Sequence, residues 1–191
     1  MNLSICIATM DRRESLLSRM LWGLQSQAGL GGAFEILIYG GHVRVGEKLD
    51  TMFTEARGSH VVFFGDDDYV TADYMSTVLP LLDVDFVGHR LIQTVDGRYA
   101  ASFAHDARYK SWRGPIRGVT PIMPIRRELA LQVPFPDGYE GDKDWSLQVG
   151  ELVETSTFVD KVLYFYDFQT EHRFRDVGKW PYDPALVRWL S

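Results

Sequence analysis

The chain has 191 residues, 46% hydrophobic and 24% charged, with a formal net charge of −6. That length suits one domain with a sizeable core, and the composition is that of an ordinary soluble globular protein. The acidic balance argues against a general nucleic-acid binder, and no apolar stretch reaches the ~20 residues that span a bilayer.

Leu3–Thr9 is a short apolar run with β-branched residues and reads as a first strand. It contains Cys6, the single cysteine, which excludes an internal disulfide, reads as a core thiol and fits a reducing cytoplasm. Met1-Asn2-Leu3-Ser4 enters this strand at once, so no signal peptide is expected. After the polar turn Met10-Asp11-Arg12-Arg13, Leu16, Leu17, Met20, Leu21 and Leu24 recur at helical spacing, predicting a helix from Glu14 to Gln27. Phe34–Tyr39 is a second strand, Gly46–Arg57 a second helix and Val61–Phe64 a third strand. A third helix is expected over Thr71–Leu82. Alternation of strand and helix predicts right-handed βαβ units on a mostly parallel sheet. No Gly-x-Gly-x-x-Gly and no Walker lysine loop occurs, which weighs against dinucleotide and P-loop sites.

The second half changes character. Asp85–Arg90 and Leu91–Thr94 read as short strands, with Asp96-Gly97 as a hairpin turn. Residues 105–118 look like a polar loop, Gly118–Pro124 a strand and Arg126–Val133 a short helix. Trp145–Leu152 is expected to be helical and Val159–Tyr166 a final strand. With no repeat, low-complexity tract or linker, residues 1–191 form one expected domain.

Asp66-Asp67-Asp68 closes the apolar run Val61–Gly65 and is the most informative feature. Adjacent carboxylates repel, and a hard divalent cation such as Mg²⁺ or Mn²⁺ would neutralise them. In open α/β sheets ligands bind beyond the carboxyl ends of strands, where this triplet falls. The alternative is a solvated acidic turn capping the next helix. Charge is also segregated. Arg108, Lys110, Arg113, Arg117, Arg126 and Arg127 occur without an intervening acid, and Asp137, Glu140, Asp142, Asp144, Glu151 and Glu154 flank only Lys143. These are either the two sides of a site for a phosphate-and-metal substrate or two solvated faces.

Three segments in this order resemble the GT-A glycosyltransferases, most closely the family 2 type. LSICIATMDRRESLLSRMLWGLQSQ resembles that family's opening strand, turn and helix. GEKLDTMFTEARGSHVVFFGDDDYV resembles its metal-binding strand end, and RGVTPIMPIRRELALQVPFPDGYEGDKDWSLQV its acceptor-side strand and acidic helix start. The resemblance implies a single Rossmann-like GT-A domain: residues 1–90 for the nucleotide-sugar, 91–175 for acceptor and catalysis, and 176–191 as a tail. It implies a metal-dependent inverting transferase moving a sugar from a nucleoside-diphosphate-sugar to an acceptor hydroxyl.

By resemblance, Asp66 and Asp68 form the Asp-x-Asp pair. Asp68 is a metal ligand, Asp66 serves metal or ribose, and Asp67 is an uncertain middle residue near the donor. Thr9, Asp11 and Arg12 lie where the family contacts the nucleoside. Two departures stand out. Tyr39-Gly40-Gly41 replaces the usual acidic base contact, leaving Tyr39 or backbone to recognise the base, and Gly65 stands where the family often has Asp. The usual Glu-Asp pair reads Gly141-Asp142, so Asp142 is the expected general base, with Asp144 as the alternative and helix capping as a third reading. His172 matches a region from which many such enzymes supply a metal-ligating His. Arg173 and Arg175 suit a diphosphate clamp, since a guanidinium matches phosphate geometry. Lys48, in the first turn of the second helix, could reach the nucleotide or simply be a surface charge. Trp112, Tyr139 and Trp145 flank the acceptor side, with Trp145 expected in the core. The acceptor is open: a saccharide, a small molecule, a protein or a modified nucleobase in DNA. Two other functions compete: a sugar-nucleotide nucleotidyltransferase, weakened by a first loop without glycines, and a non-catalytic sugar-nucleotide-binding module.

Overall fold

The computed structural model describes residues 1–11, 13–30, 33–41, 43–136, 141–168 and 186–190. Strand β1 (Leu3–Ala8) lies between β2 (Phe34–Tyr39) and β3 (His60–Gly65), parallel to both. Both faces of these strands are covered, so they read as largely apolar runs rather than alternating ones, with buried Ser4 donating to Glu35 at 2.6 Å. Leu3, Ile5, Ile7, Ile36, Val61, Val62 and Phe64 are all fully buried. Helix α1 (Glu14–Gln25) packs Met20 and Leu24 on this sheet, and α2 (Val45–Glu55) packs Leu49, Met52 and Phe53. Each helix thus buries the stripe that its spacing predicted.

Beyond β3 the sheet becomes mixed. After β4 (Tyr69–Val70), α3 (Tyr74–Val78) and a 3₁₀ turn at Leu79–Leu81 come β5 (Phe86–Val95) and β6 (Arg98–His105). Short β7 (Ile116–Arg117) and β8 (Ile125–Arg126), one-turn α4 (Arg127–Ala130), α5 (Gly141–Gly150), β9 (Ser156–Phe168) and β10 (Leu186–Leu190) complete the elements. The order is β10-β2-β1-β3-β8-β5-β6-β7, with β9 paired to β4 and β5. Strand β8 runs antiparallel to both β3 and β5, which leaves β5 in the same direction as the central three. The central α/β layer with its mostly parallel strands follows the expected class.

Several boundaries differ from the sequence reading. The two strands expected over 85–94 are one ten-residue strand, β5, irregular at Gln93/Thr94. The Asp96-Gly97 hairpin forms as expected, both residues having positive φ, 49° and 75°. The expected strand Gly118–Pro124 is instead a loop. Pro121 and Pro124 accept hydrogen bonds from Phe63 and Val87 through their carbonyls but have no N–H to return. The helix expected from Thr71 starts later because Tyr69 and Val70 pair with β9, and Pro80 confines its end to a 3₁₀ turn. Strand β10 pairs antiparallel with β2 within the segment expected to be a tail. Helix α5 begins at Gly141, which puts Asp142 and Asp144 in its first turn. Trp145 is core, as expected: it stacks on Phe135 at 5.4 Å and donates its indole N–H to Val133 O at 3.0 Å.

Candidate active site

Strands β1, β2 and β3 end in register, with Ala8 opposite both Tyr39 and Gly65. The loops that follow them, beginning at Thr9, Gly40 and Asp66, therefore meet at one edge of the sheet, where open α/β folds bind ligands. Lys48, buried in the first turn of α2, ties two of them together. Its ammonium donates to Thr9 O at 2.7 Å and Gly41 O at 2.6 Å. Burial, helped by Arg13, lowers the Lys48 pKa to about 8 against the opposing pull of Asp66. Lys48 is thus an internal tie and not a surface charge.

The acidic triplet does not behave as three equivalent carboxylates. Asp66 is buried, and its Oδ2 accepts the Thr9 hydroxyl at 2.7 Å. Burial raises its pKa to about 6, although Arg13, Thr9 and Lys48 all favour the ionised form. Asp67 carries the open carboxylate, with a side chain 26% exposed. Asp68 turns inward: Oδ1 accepts the Asp167 backbone N–H at 2.8 Å and Oδ2 accepts the Tyr164 hydroxyl. Burial and the Asp67 charge raise the Asp68 pKa well above the usual carboxylate range. Asp68, expected as a metal ligand, thus points inward, and Asp67, the uncertain middle residue of the expected pair, carries the more open carboxylate. Gly65 also finds its reason here. A Cβ at that position would stand 2.7 Å from Asp68 Oδ2 and 2.9 Å from Asp67 Oδ1, so a side chain there would push on both carboxylates.

Arg13, at the N-terminal boundary of α1, was not singled out by the sequence. Its Nη2 approaches Asp66 Oδ1 at 2.8 Å and Asp67 Oδ2 at 2.6 Å. Neither contact is an aligned hydrogen bond: Nε and Nη2 are buried without an acceptor along their N–H directions. Arg19, one helix turn or more further on, donates to Asp67 O, lies over the Tyr69 ring and pairs with Asp167 at 3.3 Å. Asp167 in turn accepts Thr94 Oγ1 at 2.5 Å and the Gly97 N–H at 3.0 Å, linking the triplet turn to the β5–β6 hairpin. Arg13 could have been suspected from its place beside Arg12. Tyr164 and Asp167 gave no signal, being 96 and 99 residues from Asp68.

Other expected residues are placed as follows. Tyr39 is half-buried at the end of β2 and accepts the Thr9 N–H on its carbonyl at 3.0 Å. Asp11 is half-buried in the turn after β1. Asp142 and Asp144 are exposed on α5, an element separate from the strand ends that build the acidic cluster. Gly141 leaves no room for the expected acidic partner of Asp142, since a Cβ there would lie 2.2 Å from Pro136 O. Arg12, Tyr139, His172, Arg173 and Arg175 lie outside the described residues.

The basic stretch is mostly consumed internally. Arg108 pairs with Asp106, Lys110 donates to Gly150 O, and Arg126 pairs with Asp85. Arg127 donates to Phe53 O and Thr54 O, and Arg117 lies over the Phe103 ring. It is not a uniform phosphate-binding face.

No protein-family model and no curated protein matches the sequence. Solved structures do match. The crystal structure of S. aureus TarS 1-349 superposes with a TM-score of 0.71 at 14% identity, over 87% of this chain and 60% of that one. Its complexes with UDP and with UDP-GlcNAc each give a TM-score of 0.69 at 14% identity. The fold is that of the GT-A glycosyltransferases. The chain spans 60% of TarS 1-349 and 37% of the longer TarS structure. UDP and UDP-GlcNAc are bound in two of those TarS structures. No described helix is long and apolar enough to cross a membrane.

A divalent cation fits the cluster in one respect that the structure itself supplies. A single nitrogen lies within 2.8 Å of oxygens from both Asp66 and Asp67, so one cation can meet both carboxylates. Among the described residues no three His, Cys, Asp or Glu side chains converge, so those residues offer two oxygen donors and not a full cage. Mg²⁺ is commonly held in this way, by one or two carboxylates with phosphates and waters completing the shell.

Proposed function

We propose that the protein is a glycosyltransferase, moving a sugar from a nucleoside-diphosphate-sugar to an acceptor hydroxyl with inversion. The observation that carries this reading is the convergence of Asp66 and Asp67 at the ends of parallel strands in a GT-A fold. The TarS complexes with UDP and UDP-GlcNAc make a uridine nucleotide the first donor to test.

In this reading residues 1–90 hold the donor. Asp66 and Asp67 would hold a divalent cation from the protein side, while Thr9 and Lys48 fix the position of Asp66 and of the loop beside it. When bound, such a cation stabilises charge developing on the departing diphosphate. Asp68 takes a positioning role: clamped by Tyr164 and Asp167, it sets the turn that presents Asp67. Tyr39 lines the base side. A carboxylate oxygen of Asp142 accepts the proton of the acceptor hydroxyl as the hydroxyl oxygen attacks the anomeric carbon and the nucleoside diphosphate leaves. Asp144 is the alternative base, His172 remains a proposed metal ligand, and Arg173 and Arg175 remain a proposed diphosphate clamp.

The test is calorimetric binding of UDP with Mn²⁺ and with EDTA, followed by assay of UDP release from UDP-sugars. Metal-dependent UDP binding and sugar-dependent UDP release are expected. Equal affinity with and without metal would remove the metal bridge, and tight binding with no turnover on any donor would leave a binding module.

A further inference from the structure

The cation that the acidic pair needs is already present in the protein. Arg13 Nη2 sits between Asp66 Oδ1 and Asp67 Oδ2, at 2.8 and 2.6 Å, with the Arg13 side chain only 13% exposed. We propose that Arg13 is a resident counter-cation of Asp66 and Asp67 that a divalent cation must displace, so that it sets the threshold at which metal enters. The inference rests on the metal-bridged reading above and goes beyond it by naming the competitor.

Three observations support the displacement. The first is position: one guanidinium nitrogen touches both carboxylates, so metal and Arg13 cannot engage the pair together. The second is the quality of the contact. Arg13 Nη2 makes no aligned hydrogen bond to either oxygen, and Nε has no acceptor, so the attraction is mainly Coulombic. A pairing without directional bonds costs less to break than a bidentate fork. The third is anchoring. Arg13 lies at the boundary of α1, with φ −111° and ψ 17°, outside the helix proper, so its side chain can leave without unwinding a turn. By contrast Asp66 stays fixed by Thr9, and Asp67's backbone by Arg19, so the carboxylates remain in place when the guanidinium moves.

The experiment is titration of nucleotide-free protein with Mn²⁺, reading free Mn²⁺ by electron paramagnetic resonance. Wild type, Arg13→Gln and Arg13→Lys are compared. Removing a unit charge in contact with both carboxylates should tighten Mn²⁺ binding about tenfold or more in Arg13→Gln, while Arg13→Lys stays near wild type. Equal or weaker binding by Arg13→Gln overturns the inference. A second measurement needs no variant. Phenylglyoxal labelling of wild-type Arg13, read by peptide mass spectrometry, should accelerate severalfold in saturating Mn²⁺. Unchanged labelling overturns the inference as well. UDP binding with Mn²⁺ is measured alongside. Metal-dependent UDP binding with no gain in Arg13→Gln removes the role of Arg13 and leaves the transferase reading. Absence of both Mn²⁺ and UDP binding removes both.

Discussion

The strand ends of β1, β2 and β3 and the segment from Arg108 to Arg127 are both dense in charge, yet they use it in opposite ways. At the strand ends, groups distant in sequence converge: Thr9, Arg13, Lys48, Asp66 and Asp67 meet because three parallel strands finish in register. Their pairings are strained by burial, which leaves Asp66 and Lys48 with displaced pKa values. In the second region most cations have separate acceptors of their own, as Arg108 does in Asp106 and Arg126 in Asp85. Asp85 is accordingly pushed down to about 2, since hydrogen bonds from Thr155, Glu154 and Arg126 outweigh the raising effect of burial. A count of charges therefore says little about a site. Competition of several groups for one point says more.

The sharpest way to break this contrast is Asp67→Asn. Loss of the open carboxylate should weaken metal-dependent UDP binding by about 10³-fold and abolish transfer, with circular dichroism unchanged. Near-normal UDP affinity in that variant would make the strand-end cluster as inert as the basic segment. Asp142→Asn comes next. Turnover should fall by roughly 10²–10⁴-fold while UDP affinity holds, and Asp144→Asn should do much less. The reverse ranking would move the base two residues along α5.

A third prediction concerns acid. Burial, aided by the His105 charge, lowers His89 to about 4, and burial with Arg117 lowers His105 to about 4. Tyr74 faces His89 edge-on and Trp112 faces His105, while the carbonyls of Arg90 and Gly118 exert the opposing, weaker pull. A depressed pKa means that the unfolded chain binds the proton more readily. The stability is therefore full above the ordinary pKa of 6.5 and lost as pH falls towards 4. Each group carries roughly 3 kcal/mol at the lower end. Urea midpoints at pH 7 and 4.5 measure this, and His89→Gln should flatten the difference. An unchanged pH slope in that variant would count against it. The smallest effect belongs to the basic segment: Arg117→Ala should alter UDP affinity by less than about twofold, as expected for a cation already engaged elsewhere. A large loss of UDP affinity would restore that segment as part of the site.

Much of this was readable before any coordinates. Apolar β-branched runs marked β1 to β3, the stripes at Leu16–Leu24 and Leu49–Phe53 marked α1 and α2, and Asp96-Gly97 marked the hairpin. The triplet's place at a strand end marked where the acidic cluster falls. What escaped was partnership across distance. Which of Asp66, Asp67 and Asp68 faces outward depends on Tyr164 and Asp167, contributed by β9, and local spacing carries no trace of them. The segment Gly118–Pro124 read as a strand because its side chains are apolar, but two prolines withhold the donors a ladder needs. The basic segment looked like a surface because its acceptors, Asp85, Gly150, Phe53 and Thr54, lie elsewhere in the chain.

The bond from Lys48 to two carbonyls has a thermodynamic side. One ammonium spans Thr9 O and Gly41 O, so the spacing between the loops after β1 and β2 is fixed before any ligand arrives. The entropy of ordering that wall is borne by folding rather than by association. A nucleotide bound there, as proposed, would meet a surface already set, and its affinity would read contact chemistry with little subtraction for closing a loop.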